Sequence, residues 1–315
     1  MTAALASSDP VLADFAAEVG ETGPVSVAGG RTRWGLGGPL ADEAVVLSAP
    51  DGIVDYKPDE MTVTVRAGTT VAALHAELAA KGQRSALPDR GGTVGGALAV
   101  GENDVRSLGR GLLRTALLQI RYVSAEGRIV SSGGPTVKNV SGFDLPRLMV
   151  GSLGTLGLLA EVIVRTNPIP ACSRWVVATG CDPLVVQGAL LAPSAILWDG
   201  EFTWVQLEGH EPDVDAQHKA LAPHGTFVTV AVTGDRLPVE LPQNRWSLAP
   251  AEVPGLAGNS QTGRFVAAVG HGLVFAEHSQ PSRTVDFQSA LIAERLKQNF
   301  DPCGRLNPGR DPGAK

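Results

Sequence analysis

Glycine is bunched in this chain, and that bunching restricts its folding more than any other feature. Of 315 residues 38 are glycine, and they gather at 29–38, 91–101 and 133–157. The last group lies in the run GGPTVKNVSGFDLPRLMVGSLGTLGLLAEV, residues 133–162. A glycine gives up side-chain packing and costs about 0.5–1 kcal/mol relative to alanine inside a regular element. Such clusters mark loops where the backbone must be bare, so that it can turn left-handed, touch another segment or present N–H groups to an anion. One Gly-Gly pair is most simply a turn. VAGGRTRWG (27–35), RGGTVGGALAVG (90–101) and GSLGTLG (151–157) together point to a ligand of dinucleotide size. The third is spaced G-x-x-G-x-x-G and no strong helix pattern follows it, which excludes the Rossmann G-x-G-x-x-G site.

Around these loops the pattern alternates between helix and strand. VSVAG (25–29), AVVLSA (44–49), MTVTVRAG (61–68) and LLAEVIVRT (158–166) read as strands, and RTALLQIRYVSAEGRIVSSGG as strand, turn, strand. TVAALHAELAAK (70–81) sets Val71, Leu74 and Leu78 on one helical face before Gly82. Pro168 and Pro170 then interrupt the chain, and the expected division is 1–169 and 170–315. The second part is richer in proline, with a strand expected at TFVTVAVTG (226–234) and a helix at 287–300.

Composition removes several classes of function. A net charge of −6 with no basic stripe argues against nucleic acid as a partner. No stretch reaches the roughly 18–20 apolar residues of a membrane span. The first twenty residues lack a basic start, and Asp9 and Asp14 break any apolar run, so no signal peptide is expected and the location expected is cytoplasmic. Cys172, Cys181 and Cys303 are far apart, which leaves no CxxC for zinc or iron–sulfur ligation.

The run from Gly133 to Pro170 resembles the GG-x-x-x-KN-x-(A/T)-G-Y-D-x-x-(R/K)-L-x-x-G-x-x-GTLG-(V/I)-I-T-E-V signature of glycolate oxidase FAD-binding subunits, within the vanillyl-alcohol-oxidase/PCMH flavoproteins. The resemblance extends through TVTVRAGTTVAALHAELAAKGQ, GGTVGGALAVG, GRGLLRTALLQIRYVSAEGRIV, NRWSLAP and FDPCGRLNPGR. It implies an α+β architecture: a PCMH-type FAD-binding domain of two α/β subdomains over 1–169, then a smaller α+β cap domain over 170–315 whose C-terminal segment returns to the flavin. It also implies that Ala28, Gly29, Gly30, Arg31 and Thr32 form the pyrophosphate loop, with Thr93, Gly95 and Gly96 in a second contacting loop. Arg114, Gly154, Gly157 and Leu159 are further cofactor candidates. Lys138, Asn139 and Gly142 match KN-x-x-G near the flavin, and Lys138 is the catalytic candidate, as a cation for a carboxylate or for developing flavin charge.

Departures from the signature qualify this. Arg31 replaces a glycine of the usual R-G-G-G-(T/S) loop, Phe143 replaces a common tyrosine, and Thr115 follows Arg114 where an aspartate is usual. The loop has no histidine for covalent attachment, so dissociable FAD is expected. The cap histidine block of related 2-hydroxyacid dehydrogenases is missing, and Pro212 spoils GHEPDVDAQH as a metal helix. His210, His218, His271 and His278 are read as structural or surface residues, and no metal is expected. Three functions remain open: an FAD subunit of a glycolate-type oxidase, working with a second FAD-binding subunit and an iron–sulfur subunit; a free-standing flavin oxidase or dehydrogenase for an alcohol or sugar; and a non-catalytic scaffold or electron relay.

Overall fold

A computed structural model describes residues 9–135, 144–281 and 287–314. In chain order the first elements are α1 (Pro10–Val19), β1 (Val25–Val27), β2 (Val45–Leu47), β3 (Ile53–Lys57), β4 (Thr62–Arg66), α2 (Val71–Ala79), β5 (Gln83–Ser85) and α3 (Val94–Val100). There follow α4 (Ser107–Arg110), α5 (Leu113–Ala116), β6 (Leu117–Val123), β7 (Ile129–Gly133), α6 (Leu145–Met149) and β8 (Leu158–Pro168). Next come β9 (Cys172–Thr179), α7 (Pro183–Ala189), β10 (Pro193–Trp198), β11 (Phe202–Gly209), α8 (Glu211–Ala220) and β12 (Val228–Val230). The last are β13 (Asn244–Ser247), β14 (Phe265–Ala268), β15 (Leu273–Ala276) and α9 (Phe287–Phe300). They form two compact units, one of residues 1–104, 112–169 and 284–315, the other of 105–111 and 170–283.

In the first unit the strands run β3-β4-β8-β6-β7, with β5 also on β8, and β1 and β2 form a separate parallel pair. The near-continuous apolar run of β8 follows from burial on both faces. Leu158 and Ala160 pack with Leu12, Phe15 and Val25 of α1 and β1, whereas Leu159, Val162 and Val164 join Leu74 and Leu98 of α2 and α3. The helix expected at 70–81 is Val71–Ala79, started by the Thr70 hydroxyl, which accepts from the Ala73 N–H at 3.2 Å.

A row of charge crosses the same sheet: Arg66, Glu161 and Arg121 are lateral neighbours on β4, β8 and β6. Asp9 caps α1 by accepting from the Val11 N–H (3.0 Å) and pairs with Arg66 at 3.1 Å. After α9 the chain comes back to β1. Val25 donates to the Arg305 carbonyl and Asn307 donates to the Val25 carbonyl, both at 2.8 Å.

The second unit is built on a sheet ordered β12-β9-β11-β10-β14-β15-β13. The strand expected at 226–234 is confined to Val228–Val230. Segment 105–111 belongs here because Arg106 donates to Gln206 (3.0 Å) and to the carbonyls of Asp235 and Arg236, and Gly109 leaves no room for a side chain against Ser194. Among the described residues no helix is long and apolar enough to cross a membrane.

Candidate functional site

Two adjoining cavities open in the first unit. The larger, about 460 Å³, runs between the loop after β1, the β2–β3 connection, the start of α3 and the loop before β8. That is within the roughly 300–1,000 Å³ of small-molecule and cofactor sites. The smaller, about 130 Å³, extends from it past Trp34 and Arg90. Gly29, Thr93, Gly96, Leu153 and Asn307 line both, so the two are one continuous cleft.

The loop after β1 has the properties of an anion cradle. The Ala28 N–H donates to the Leu47 carbonyl at 2.9 Å, which ends the β1–β2 pairing. The next four N–H groups, of Gly29, Gly30, Arg31 and Thr32, have no hydrogen-bond acceptor among the described residues. Consecutive free amides are what a diphosphate needs once it leaves water. Glycine is required here for a second reason. A Cβ on Gly29 would collide with the Thr93 hydroxyl, and one on Gly30 would lie 2.6 Å from the Gly91 carbonyl oxygen.

The second glycine loop plays a different part. Val94 donates to the Thr69 carbonyl and Gly95 to the Ala67 carbonyl, both at 2.8 Å, and Gly96 donates to the Thr93 hydroxyl at 3.2 Å. These amides are already used, and a Cβ on Gly95 would lie 2.8 Å from that of Ala67. The loop therefore lines the cleft as a buttress that lets α3 close on β4. In the third loop Gly154 has φ +70 and backs onto Asn307, and Gly157 backs onto the Tyr122 ring.

Of the residues expected at the site, Ala28, Gly29, Gly30, Arg31, Thr32, Thr93, Gly95, Gly96, Gly154, Gly157 and Leu159 all line the cleft. Arg114 does not: it is exposed on α5 and its guanidinium donates to the Val150 carbonyl at 3.4 Å. Lys138, Asn139 and Gly142 lie outside the described residues. Arg305, which with Arg114 and Arg310 is a possible cation for a substrate carboxylate on sequence grounds, is instead bound up in five hydrogen bonds to main-chain carbonyls and lines neither cavity.

Sequence reasoning passed over Arg33, Arg90, Glu102 and Asn307, all of which line the cleft. Glu102 is buried and pairs with Arg90 at 2.9 Å and Arg33 at 3.4 Å. The guanidinium carbons of Arg31 and Arg310 lie 5.1 and 5.0 Å from the centre of the Trp34 ring, within cation–π range. Partial burial draws Arg310 below the ordinary arginine value, and its guanidinium donates to the carbonyls of Leu36 and Gly38.

No histidine lines the cleft. His218 contacts the Phe227 carbonyl at 3.1 Å, His278 the Gln261 carbonyl at 3.3 Å, and His210 begins α8. Burial holds His271 below the usual imidazole value. Among the described residues no group of His, Cys, Asp and Glu is placed to hold a metal.

Comparison with known proteins agrees with this geometry. Residues 5–133 match the FAD binding domain family. Glycolate oxidase subunit GlcE of Escherichia coli is 28% identical over 91% of this chain and 92% of its own length. The D-lactate dehydrogenase of Archaeoglobus fulgidus is 35% identical, but over only 46% of this chain and 33% of that protein. Among solved structures, alkyldihydroxyacetonephosphate synthase shares the fold with a TM-score of 0.65 at 13% identity, covering 94% of this chain and 73% of that one. The chain is thus an FAD-binding oxidoreductase related, over nearly its whole length, to glycolate oxidase subunit GlcE.

Proposed function

We propose that this protein is the FAD-binding subunit of a cytoplasmic complex that oxidises a small 2-hydroxyacid of the glycolate type. The observation that carries the reading is the row of free amides from Gly29 to Thr32, set against a cleft lined by three separate glycine loops. In this reading those amides hold the diphosphate, Thr93–Gly96 and Gly154–Leu159 enclose the rest of the cofactor, and Lys138 and Asn139 act near the flavin. FAD, when bound, supplies the acceptor for the hydride that leaves the substrate Cα–H.

The hydroxyl proton must go to a base as the carbonyl forms. Among the described residues the carboxylates lining the cleft are Asp51, which is exposed, and Glu102, which is already claimed by two arginines. This supports a division of labour: the chain binds cofactor and acid, and a second FAD-binding subunit provides the base. An iron–sulfur subunit then takes the electrons.

The purified protein is expected to be yellow and to release FAD, not FMN, on acid denaturation, since no histidine stands in the cradle. Mixed anaerobically with glycolate or D-lactate, the lone chain keeps its flavin oxidised. Adding a second flavin subunit and a cysteine-rich partner restores turnover with an artificial acceptor. Rapid bleaching of the lone protein's flavin by either acid would show instead a free-standing enzyme.

A further inference from the structure

Backbone amides are not the only unused donors in the cleft. Asn307 lines both cavities, as Gly29 does, and so stands at the neck where they join. It is only 7% exposed. Its Oδ1 accepts from the Ser26 hydroxyl, which fixes the plane of the amide and turns Nδ2 the other way, against Gly154. Nδ2 has no hydrogen-bond acceptor among the described residues. A buried amide left without an acceptor costs free energy, and one that lines a cavity points to an acceptor on whatever fills it.

The fold asks less of position 307 than asparagine supplies. Its φ is +46, in the left-handed region that Gly, Asn and Asp tolerate. The bond to Ser26 needs only an oxygen. Aspartate would meet both needs, so the NH₂ group is the part of the side chain that the described packing leaves unused. That group is an uncharged double donor, suited to the oxygen of an anion and unsuited to a cation. The backbone that carries it is fixed beforehand. The Asn307 N–H donates to the Val25 carbonyl and the Leu306 N–H to the buried Asp301 carboxylate, both at 2.8 Å. Lys297 Nζ donates to the Leu306 carbonyl at 3.1 Å and to the Thr155 carbonyl at 3.0 Å, which ties this segment to the third glycine loop. We propose that Asn307 is a side-chain donor of the anion site, its Nδ2 donating to a diphosphate oxygen of the cofactor at the neck, alongside the Gly29–Thr32 amides. This rests on the reading of the cleft as the FAD site and adds to it a recognition residue supplied from the far end of the chain.

The test measures binding and needs no turnover. The apoprotein is titrated with FAD and, separately, with ADP, which has the diphosphate but no flavin. Asn307→Gly accepts the left-handed backbone without strain and removes the donor, so both ligands should weaken about tenfold, the loss of one charge-assisted hydrogen bond. Asn307→Asp keeps the bond to Ser26 but sets a carboxylate against phosphate. At mildly alkaline pH it should weaken both ligands about a hundredfold, while the apoprotein melts within a few degrees of the unaltered chain. The aspartate variant decides the matter alone if the glycine variant melts early. Unchanged affinity for both ligands in the aspartate variant, or in a stable glycine variant, would show an asparagine held only for its fit to Ser26 and the turn, and would overturn the proposal. Weakening of one ligand without the other would take the acceptor off the diphosphate and overturn it too. An unaltered protein that takes up neither ligand would instead overturn the reading of the cleft as the FAD site.

Discussion

Replacing Arg305 by methionine should unfold the first unit far more readily although Arg305 lines neither cavity of the cleft. The guanidinium, 5% exposed, donates to the carbonyls of Val19, Gly20, Thr22, Gly23 and Ala125 over 2.6–3.1 Å. At a net value of about 1 kcal/mol each, the five bonds set an upper figure of about 5 kcal/mol. Residues 21–23 are exposed, so water recovers part of the loss, and about 3–5 kcal/mol is expected, the range for breaking a buried charged network. For a unit of this size that lowers the melting temperature by roughly 10 °C. Urea and thermal unfolding followed by circular dichroism measure it. Arg305→Lys should recover less than half, because an ammonium is a point charge with three donors and cannot span five carbonyls. If Arg305→Met melts with the unaltered protein but binds glycolate or D-lactate weakly, Arg305 is a substrate cation and the structural argument is wrong.

Three further outcomes follow from the packing. Gly29→Ala should destabilise and loosen FAD by pressing on the Thr93 hydroxyl; adding Thr93→Ala should return part of the stability, and a strictly additive double-mutant cycle would show that the two loops do not touch there. Asp9→Ala removes both the α1 cap and the partner of Arg66 and should cost about 1–2 kcal/mol in a urea melt. Burial, with the Glu126 charge, pushes the Tyr122 phenol up to about 12, and burial with Glu77 raises Tyr56, the chain's other tyrosine. Because the folded state holds the Tyr122 proton more tightly than the unfolded chain, whose phenol titrates near about 10, its contribution is full below that pH and fades up to about 12. In a Tyr56→Phe variant, which leaves Tyr122 as the single tyrosine, absorbance at the phenolate band should then rise only towards pH 12 or with unfolding, and half-ionised Tyr122 in folded protein at pH 10 would contradict its packing behind Gly157.

Much of the first unit could be read directly from residues. Val63 and Val65 alternate with threonine because β4 has one face on the core, and Leu74 and Leu78 repeat because α2 lies along that face. The cradle was readable because bare backbone is written as glycine. Helix α3 was not, since VGGALAV puts two poor helix formers in seven residues, and the helix exists because Gly95 lets it close on Ala67. Glu102 and Asn307 were hidden for a different reason. Glu102 sits in no local pattern and Asn307 only within the block FDPCGRLNPGR, and each acquires its role from a partner distant in sequence, Arg33 for the one and Ser26 for the other. The short β12 has the same kind of cause: TFVTVAVTG is a strand by composition, but only Val228–Val230 find an edge, on β9.

The bond between β1 and residues 305–307 sets a timetable for synthesis. Asn307 lines both cavities, and it reaches them through Val25, some 280 positions earlier. On a ribosome the cradle at 28–32 emerges early, but the wall opposite is translated only after the entire second unit. Completion of the cleft is therefore a late event, and a chain interrupted before residue 305 carries every glycine loop yet leaves the cleft without one of its walls.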